Sequence, residues 1–191
     1  MKLPERLTSI TELAKAFASV CLKPGDMAVD CTAGNGHDTL FLAEMTAPDG
    51  FVHAFDIQPQ AITVTKQRLE KAGVSDRRYS LIQECHSRIT EYVPSGIAAC
   101  MFNLGYLPGA SRHITTKPAS VIQALQGACR LLRPCGVITV VMYSGHAAGR
   151  RERDALLEYA ASVDEKAFRV IHVSNLNTSK SSPSILVFQK L

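Results

Sequence analysis

With 191 residues, the chain has the length of one domain able to bury a full core. Hydrophobic residues at 46% exclude a disordered chain, and no apolar run reaches membrane-spanning length. The net charge of +4, from 21 basic and 17 acidic residues, tolerates a polyanionic partner without demanding one.

The predicted elements alternate. Residues 8–23 form an amphipathic helix with Ile10, Leu13, Ala14, Phe17 and Val20 on one face, capped by Thr8 or Ser9 and ended by Pro24-Gly25. A buried strand over 27–33 leads into a helix over 38–47 and a Pro-Asp-Gly turn. A second strand (51–57) is followed by a helix over 59–73, with Pro at its first turn and Gly at its end. A strand over 79–84, a short helix before Pro94 and a strand over 97–104 come next, then a Gly- and Pro-containing loop over 105–118. Residues 119–134 read as a helix, 136–144 as a strand and 148–163 as a helix; "AFRVIHVSN" and "SILVFQKL" close the chain as two strands.

Strands alternating with helices predict one α/β domain over 1–191, with a doubly wound, mostly parallel seven-stranded sheet, helices on both faces and an antiparallel strand near the C-terminus. The six cysteines contain no Cys-x-x-Cys pair and sit mostly in apolar segments, so neither a metal site nor a disulfide framework is expected. The N-terminal "MKLPERLTSITELAKAF" lacks the apolar stretch of a signal peptide, which points to a cytoplasmic protein with no membrane partner.

Ligands in such sheets bind beyond the carboxyl ends of the strands, where strand order reverses. The first strand ends in "DCTAGNGHDT". Gly34 and Gly36 suit a tight turn with close backbone approach to a ligand. Thr39 occupies the sixth position, where a dinucleotide fingerprint wants Gly or Ala, and Asp30 comes four residues before the first glycine. An acid followed by Gly-x-Gly is the first motif of S-adenosylmethionine-dependent methyltransferases. Asp30 is a candidate partner for the cofactor's ammonium group, or simply a helix cap. Asp56 ends the second strand, placed to accept both ribose hydroxyls of an adenosine, which serves NAD equally well. Gln58 lies on the same lip, and His86 would lie on the other side of the adenine.

The fourth strand ends in "FNLGYLP". The Asn103 carbonyl could accept a hydrogen bond from a substrate amine and orient its lone pair. Tyr106 offers an aromatic face for stacking a base. His146, in "YSGH", could take a proton or position a phosphate. Arg112, His113 and Lys117 in the pocket loop, with Arg150, Arg151 and Arg153 on the next helix, are placed to meet phosphates, although Glu152 and Asp154 also suit a solvated helix face.

Together "DCTAGNGHDTLFLA", "FDIQPQAI", "FNLGYLPGASRHITTKPASVIQAL" and "MYSGHAAGRRERDAL" resemble the small bacterial methyltransferases grouped as YtqB-like rRNA methylases, whose members include the MnmM-type tRNA 5-aminomethyl-2-thiouridine methyltransferases. The resemblance spans nearly the whole chain. It implies a class I, Rossmann-like methyltransferase fold and transfer of methyl from S-adenosylmethionine to the primary amine on a tRNA wobble uridine, in the anticodon loop. Position by position it implies Asn35, Asp38, Asp56, Gln58 and His86 as cofactor-site residues, and Asn103, Tyr106 and His146 as substrate-side residues. An rRNA or a small amine as substrate, and a non-methylating NAD- or adenosine-binding protein, remain as alternatives. The sequence is compatible with a homodimer.

Overall fold

The computed structural model describes residues 9–105, 117–178 and 182–191. The elements run α1 (Ile10–Ser19), β1 (Met27–Asp30), α2 (His37–Met45), β2 (Phe51–Phe55), α3 (Pro59–Lys71), β3 (Tyr79–Ile82), α4 (Ile89–Tyr92), β4 (Ile97–Asn103), α5 (Pro118–Leu131), β5 (Leu132–Met142), α6 (Ala147–Ser162), β6 (Phe168–Val173) and β7 (Ser184–Lys190). They build one seven-stranded sheet in the order β3-β2-β1-β4-β5-β7-β6. Strands β1 to β5 are parallel, and β7 inserts antiparallel between β5 and β6. The chain starts in the middle, winds out to β3 and crosses back to β4, so the strand order reverses between β1 and β4.

Strand alternation divides the core into two layers. In β4, Cys100 and Phe102 face a layer that includes Leu125 and Ala128 of α5 and Leu156 of α6. Ala99 and Met101 face the opposite layer, with Ile10, Ala14 and Ala18 of α1 and Leu42 of α2. Every residue from Ile97 to Phe102 is therefore buried, as a strand covered on both faces requires.

Several boundaries differ from the sequence expectation. The first helix ends at Ser19 and not at residue 23, and β1 ends at Asp30, leaving Cys31 to Ala33 to the loop. The helix expected over 119–134 stops at Leu131, and β5 begins at Leu132, which pairs with Ile97. Pro134 disfavours helical geometry in the residue before it. The Arg133 guanidinium also donates to the Cys21 carbonyl at 2.9 Å and to Asp26 Oδ2 at 2.8 Å, which holds this stretch away from the helix path. Cys135 then adopts φ 61°, near the register shift between Ile97 and Ala99.

Candidate active site

The carboxyl ends of β1, β2 and β4 converge at the strand-order reversal. The Cys31 amide donates to the Met101 carbonyl at 2.8 Å, the Ala33 amide to the Phe55 carbonyl at 2.9 Å, and the Asn103 amide to Thr32 Oγ1 at 2.7 Å. Gly34 and Gly36 take φ of 53° and 76°, the left-handed region that favours glycine. Gly36 has a second constraint, because a Cβ there would lie 2.9 Å from Thr65 Cα on α3. From the same helix Arg68 Nε donates to the Asn35 carbonyl at 2.6 Å. The glycine loop is thus clamped from three sides.

Asp30 is fully buried, and both its oxygens are used inside the turn. Oδ1 accepts the Thr32 amide at 2.9 Å and Oδ2 accepts the Thr39 hydroxyl at 2.6 Å. These contacts make Asp30 an organiser of the loop. It also explains Thr39, whose hydroxyl compensates a buried carboxylate that burial and the nearby Asp38 push up in pKa. Thr39→Val should cost about 1.5–3 kcal/mol in urea unfolding, the range for a lost hydrogen bond to a charged group, while Thr39→Ser should stay close to the unaltered protein.

Asp56, at the end of β2, accepts the Gly34 amide through Oδ2 at 3.0 Å and the Gln58 amide through Oδ1 at 2.9 Å. Each oxygen keeps a second lone pair, which suits a bidentate grip on a ribose diol. Gln58 itself caps α3 without a side-chain hydrogen bond. Beside it Ile57 is 49% exposed, an apolar surface on the lip that composition and spacing did not single out.

His86 is buried beneath this lip, edge-on to Phe102 at 5.8 Å between ring centroids. Its Nδ1 lies 3.1 Å from the Cys31 carbonyl, which fixes that nitrogen as the donor and leaves Nε2 as an acceptor. Burial lowers the imidazole's pKa, keeping it neutral, and Nε2 is buried with no hydrogen-bond partner among the described residues. A buried orphan acceptor near Asp56 fits an adenine amino group. The clamped glycine loop, Asp56 and His86 thus form a donor and acceptor set suited to the adenosine half of S-adenosylmethionine.

Asn103, at the end of β4, is half-buried, and its Nδ2 donates to Asp38 Oδ2 at 3.4 Å. The side-chain carbonyl is turned the other way. Tyr143, just beyond β5, closes the same corner; a Cβ at Gly105 would lie 3.5 Å from its ring. It is 37% exposed, and burial with the Asp38 charge pushes its phenol up in pKa, so it stays neutral. The motif "MYSGH" drew attention to its histidine, yet an exposed aromatic directly after the buried run 136–142 was the stronger signal.

His146 caps α6, its Nδ1 accepting the Gly149 amide at 3.0 Å. A Cβ on Gly149 would lie 2.1 Å from the Tyr143 carbonyl, so this close turn demands glycine. In this structure His146 serves as the cap of α6. Lys117 and Arg150 are exposed at the amino ends of α5 and α6, whereas Arg153 pairs with Asp154 at 2.7 Å. Tyr106, Arg112 and His113 lie outside the described residues. Among the described residues no cluster of His, Cys, Asp and Glu could hold a metal ion, and no helix is long and apolar enough to cross a membrane.

Residues 52–189 match the family described as "Putative rRNA methylase". The chain belongs to this family. Relatives agree along its length. The chloroplastic tRNA (mnm(5)s(2)U34)-methyltransferase of Arabidopsis thaliana is 33% identical over 189 residues, covering 94% of this chain and 69% of that protein. A crystal structure from Clostridium thermocellum, described in the same words as the family, is 36% identical with a TM-score of 0.94, over 97% of this chain and all of that one (100%). The Streptococcus mutans protein SMU.1697c, solved in complex with SAH, is 34% identical with a TM-score of 0.88, covering 97% and 100% of the two chains. This rRNA-methylase family member is an S-adenosylmethionine-dependent methyltransferase with a class I, Rossmann-like fold. The dinucleotide alternative falls with it.

Proposed function

We propose that this methyltransferase N-methylates the 5-aminomethyl group of a tRNA wobble 2-thiouridine, giving 5-methylaminomethyl-2-thiouridine. The observation that carries the reading is the Asn103 amide: its Nδ2 is committed to Asp38, so its carbonyl is left to accept from an amine beside the Tyr143 ring. The Arabidopsis relative, whose name specifies the mnm(5)s(2)U34 position of tRNA, supports the same substrate class.

An alkylamine has a reference pKa of about 10.4, so at neutral pH only roughly one molecule in two thousand is a free nucleophile. S-adenosylmethionine, when bound, supplies an electrophilic methyl on a cationic sulfur. Burial beside that cation favours the neutral amine, through both desolvation and like charge. Asn103 then fixes the direction of the nitrogen lone pair beside the Tyr143 ring. The new N–C bond forms as the C–S bond breaks, and the amine's surplus proton leaves to solvent. No described side chain is needed as a dedicated base.

A wobble base stands in a loop, so little pairing energy is lost in splaying it out. Lys117 and Arg150 would meet the flanking phosphates. Replacing both with Ala should raise the RNA KM and flatten the salt dependence of binding, because fewer counterions are released, while single-turnover rates at saturating RNA change little. The reading itself is tested by mass spectrometry of tRNA nucleosides from cells lacking the protein, which should accumulate the unmethylated 5-aminomethyl precursor. Unchanged tRNA with a missing rRNA methyl group would transfer the assignment to rRNA.

A further inference from the structure

Helix α1 lies outside the glycine loop and the strand ends, yet it sends one charge into the site. Lys15 sits between buried Ala14 and Ala16, and its side chain is only 19% exposed. Its ammonium is 5.8 Å from the centre of the Phe41 ring, 3.0 Å from Glu12 Oε1 and 3.7 Å from Asp38 Oδ1. Lysines are rarely covered to this extent without a partner that uses the charge. Asp38 lies in the first turn of α2, where the helix dipole favours an anion. Its second oxygen takes the Asn103 amide.

We propose that Lys15 is a positioning residue for methyl transfer, holding Asp38 as a carboxylate so that Asp38 fixes which edge of the Asn103 amide faces the substrate. The proposal deepens the amine-methylation reading and rests on it for its catalytic consequence. The chemistry is simple. An ionised carboxylate only accepts hydrogen bonds, so Asn103 must present its NH2 edge to Asp38 and its carbonyl to the pocket. A protonated Asp38 can donate instead, and the amide is then free to turn over. The turned amide would present N–H donors to the amine lone pair and occupy the electrons needed for attack.

The groups facing Asp38 decide its state. Lys15 and Glu12 approach from α1, His37 from its own helix, Asp30 from β1 and Tyr143 from the end of β5. Burial pushes the Asp38 carboxyl up, and Lys15 is the foremost group opposing that rise, followed by the Asn103 hydrogen bond. Removing Lys15 therefore raises the pH at which Asp38 becomes neutral.

The test follows the Asn103 side-chain amide by NMR in full-length, 15N-asparagine-labelled protein, with the signal assigned by its loss in Asn103→Ala. In the unaltered protein this signal should move with a single acidic midpoint, and Asp38→Asn should abolish that movement. Lys15→Met should raise the midpoint by about one pH unit, the low end of the shift from an opposite charge at this distance, and Lys15→Arg should restore it. Lys15→Gln gives the same comparison if the methionine variant folds poorly. In single turnover, Lys15→Met should move the acidic limb of the rate profile up by the same pH unit, a slowing that approaches 10-fold only well below the midpoint, with the S-adenosylmethionine KM unchanged. A pH-independent Asn103 signal, or the same midpoint with and without Lys15, would overturn the proposal. Failure of the unaltered enzyme to methylate the tRNA amine would instead overturn the substrate reading, and the NMR comparison would still decide the role of Lys15.

Discussion

Asn103→Ala is expected to lower kcat by about 10²–10³-fold while leaving S-adenosylmethionine affinity nearly unchanged, because it removes an orienting contact at the reacting centre. The asymmetry follows from position. Asn103 stands at the end of β4, with its amide hydrogen-bonded to Asp38 and its backbone N–H fixed to Thr32. None of these contacts involves Asp56, the loop glycines or His86, the residues proposed to hold the adenosine. The truncation keeps the backbone anchor to Thr32, so the loop should hold its shape. Asn103→Asp makes a sharper comparison: a second carboxylate against Asp38 would repel it or bind a proton. Single-turnover rates at saturating RNA separate chemistry from product release. Equal rates in the alanine variant and the unaltered enzyme would remove Asn103 from the mechanism.

Asp56→Ala is expected to weaken S-adenosylmethionine binding by roughly 1.5–3 kcal/mol, or about 10- to 150-fold in Kd, the scale of hydrogen bonds to a charged group. Two losses combine. The ribose hydroxyls lose a carboxylate acceptor, and the Gly34 and Gln58 amides lose the same anchor. Asp56→Asn distinguishes them, since it keeps one acceptor oxygen and loses the charge. Calorimetry on both variants should rank affinity as unaltered above Asn above Ala. An alanine variant that binds as tightly as the unaltered protein would detach Asp56 from the cofactor.

Much of this was legible in the sequence, for reasons that individual residues make plain. The Asp30–Gly34–Gly36 order and the acid at Asp56 marked the glycine turn and the strand ends that meet there, because those features follow local strand-turn-helix chemistry. The four motifs also carried the family correctly. What stayed hidden depended on contacts between distant elements. The end of α5 was missed because Arg133 answers to Cys21 and Asp26 from another part of the chain. The bond that Thr39 makes to buried Asp30, nine residues earlier, was equally hidden. Lys15 carried no local signal, since nothing in the surrounding residues tells a lysine that it will meet Asp38 across a helix pair. The cap that His146 provides was hidden too, because it depends on the first turn of α6 reaching back to Nδ1. Tyr143 was visible and passed over in favour of its histidine neighbour.

The central claim, methylation of a tRNA wobble amine, is tested most directly by reconstitution. Purified protein is given methyl-labelled S-adenosylmethionine and tRNA carrying 5-aminomethyl-2-thiouridine, and the digested nucleosides are separated and weighed. The account predicts that the label appears in 5-methylaminomethyl-2-thiouridine, with the same tRNA lacking the aminomethyl group left unlabelled and Asn103→Ala giving little product in the same time. Label in a different nucleoside, or transfer to rRNA fragments while the aminomethyl tRNA stays unlabelled, would contradict it.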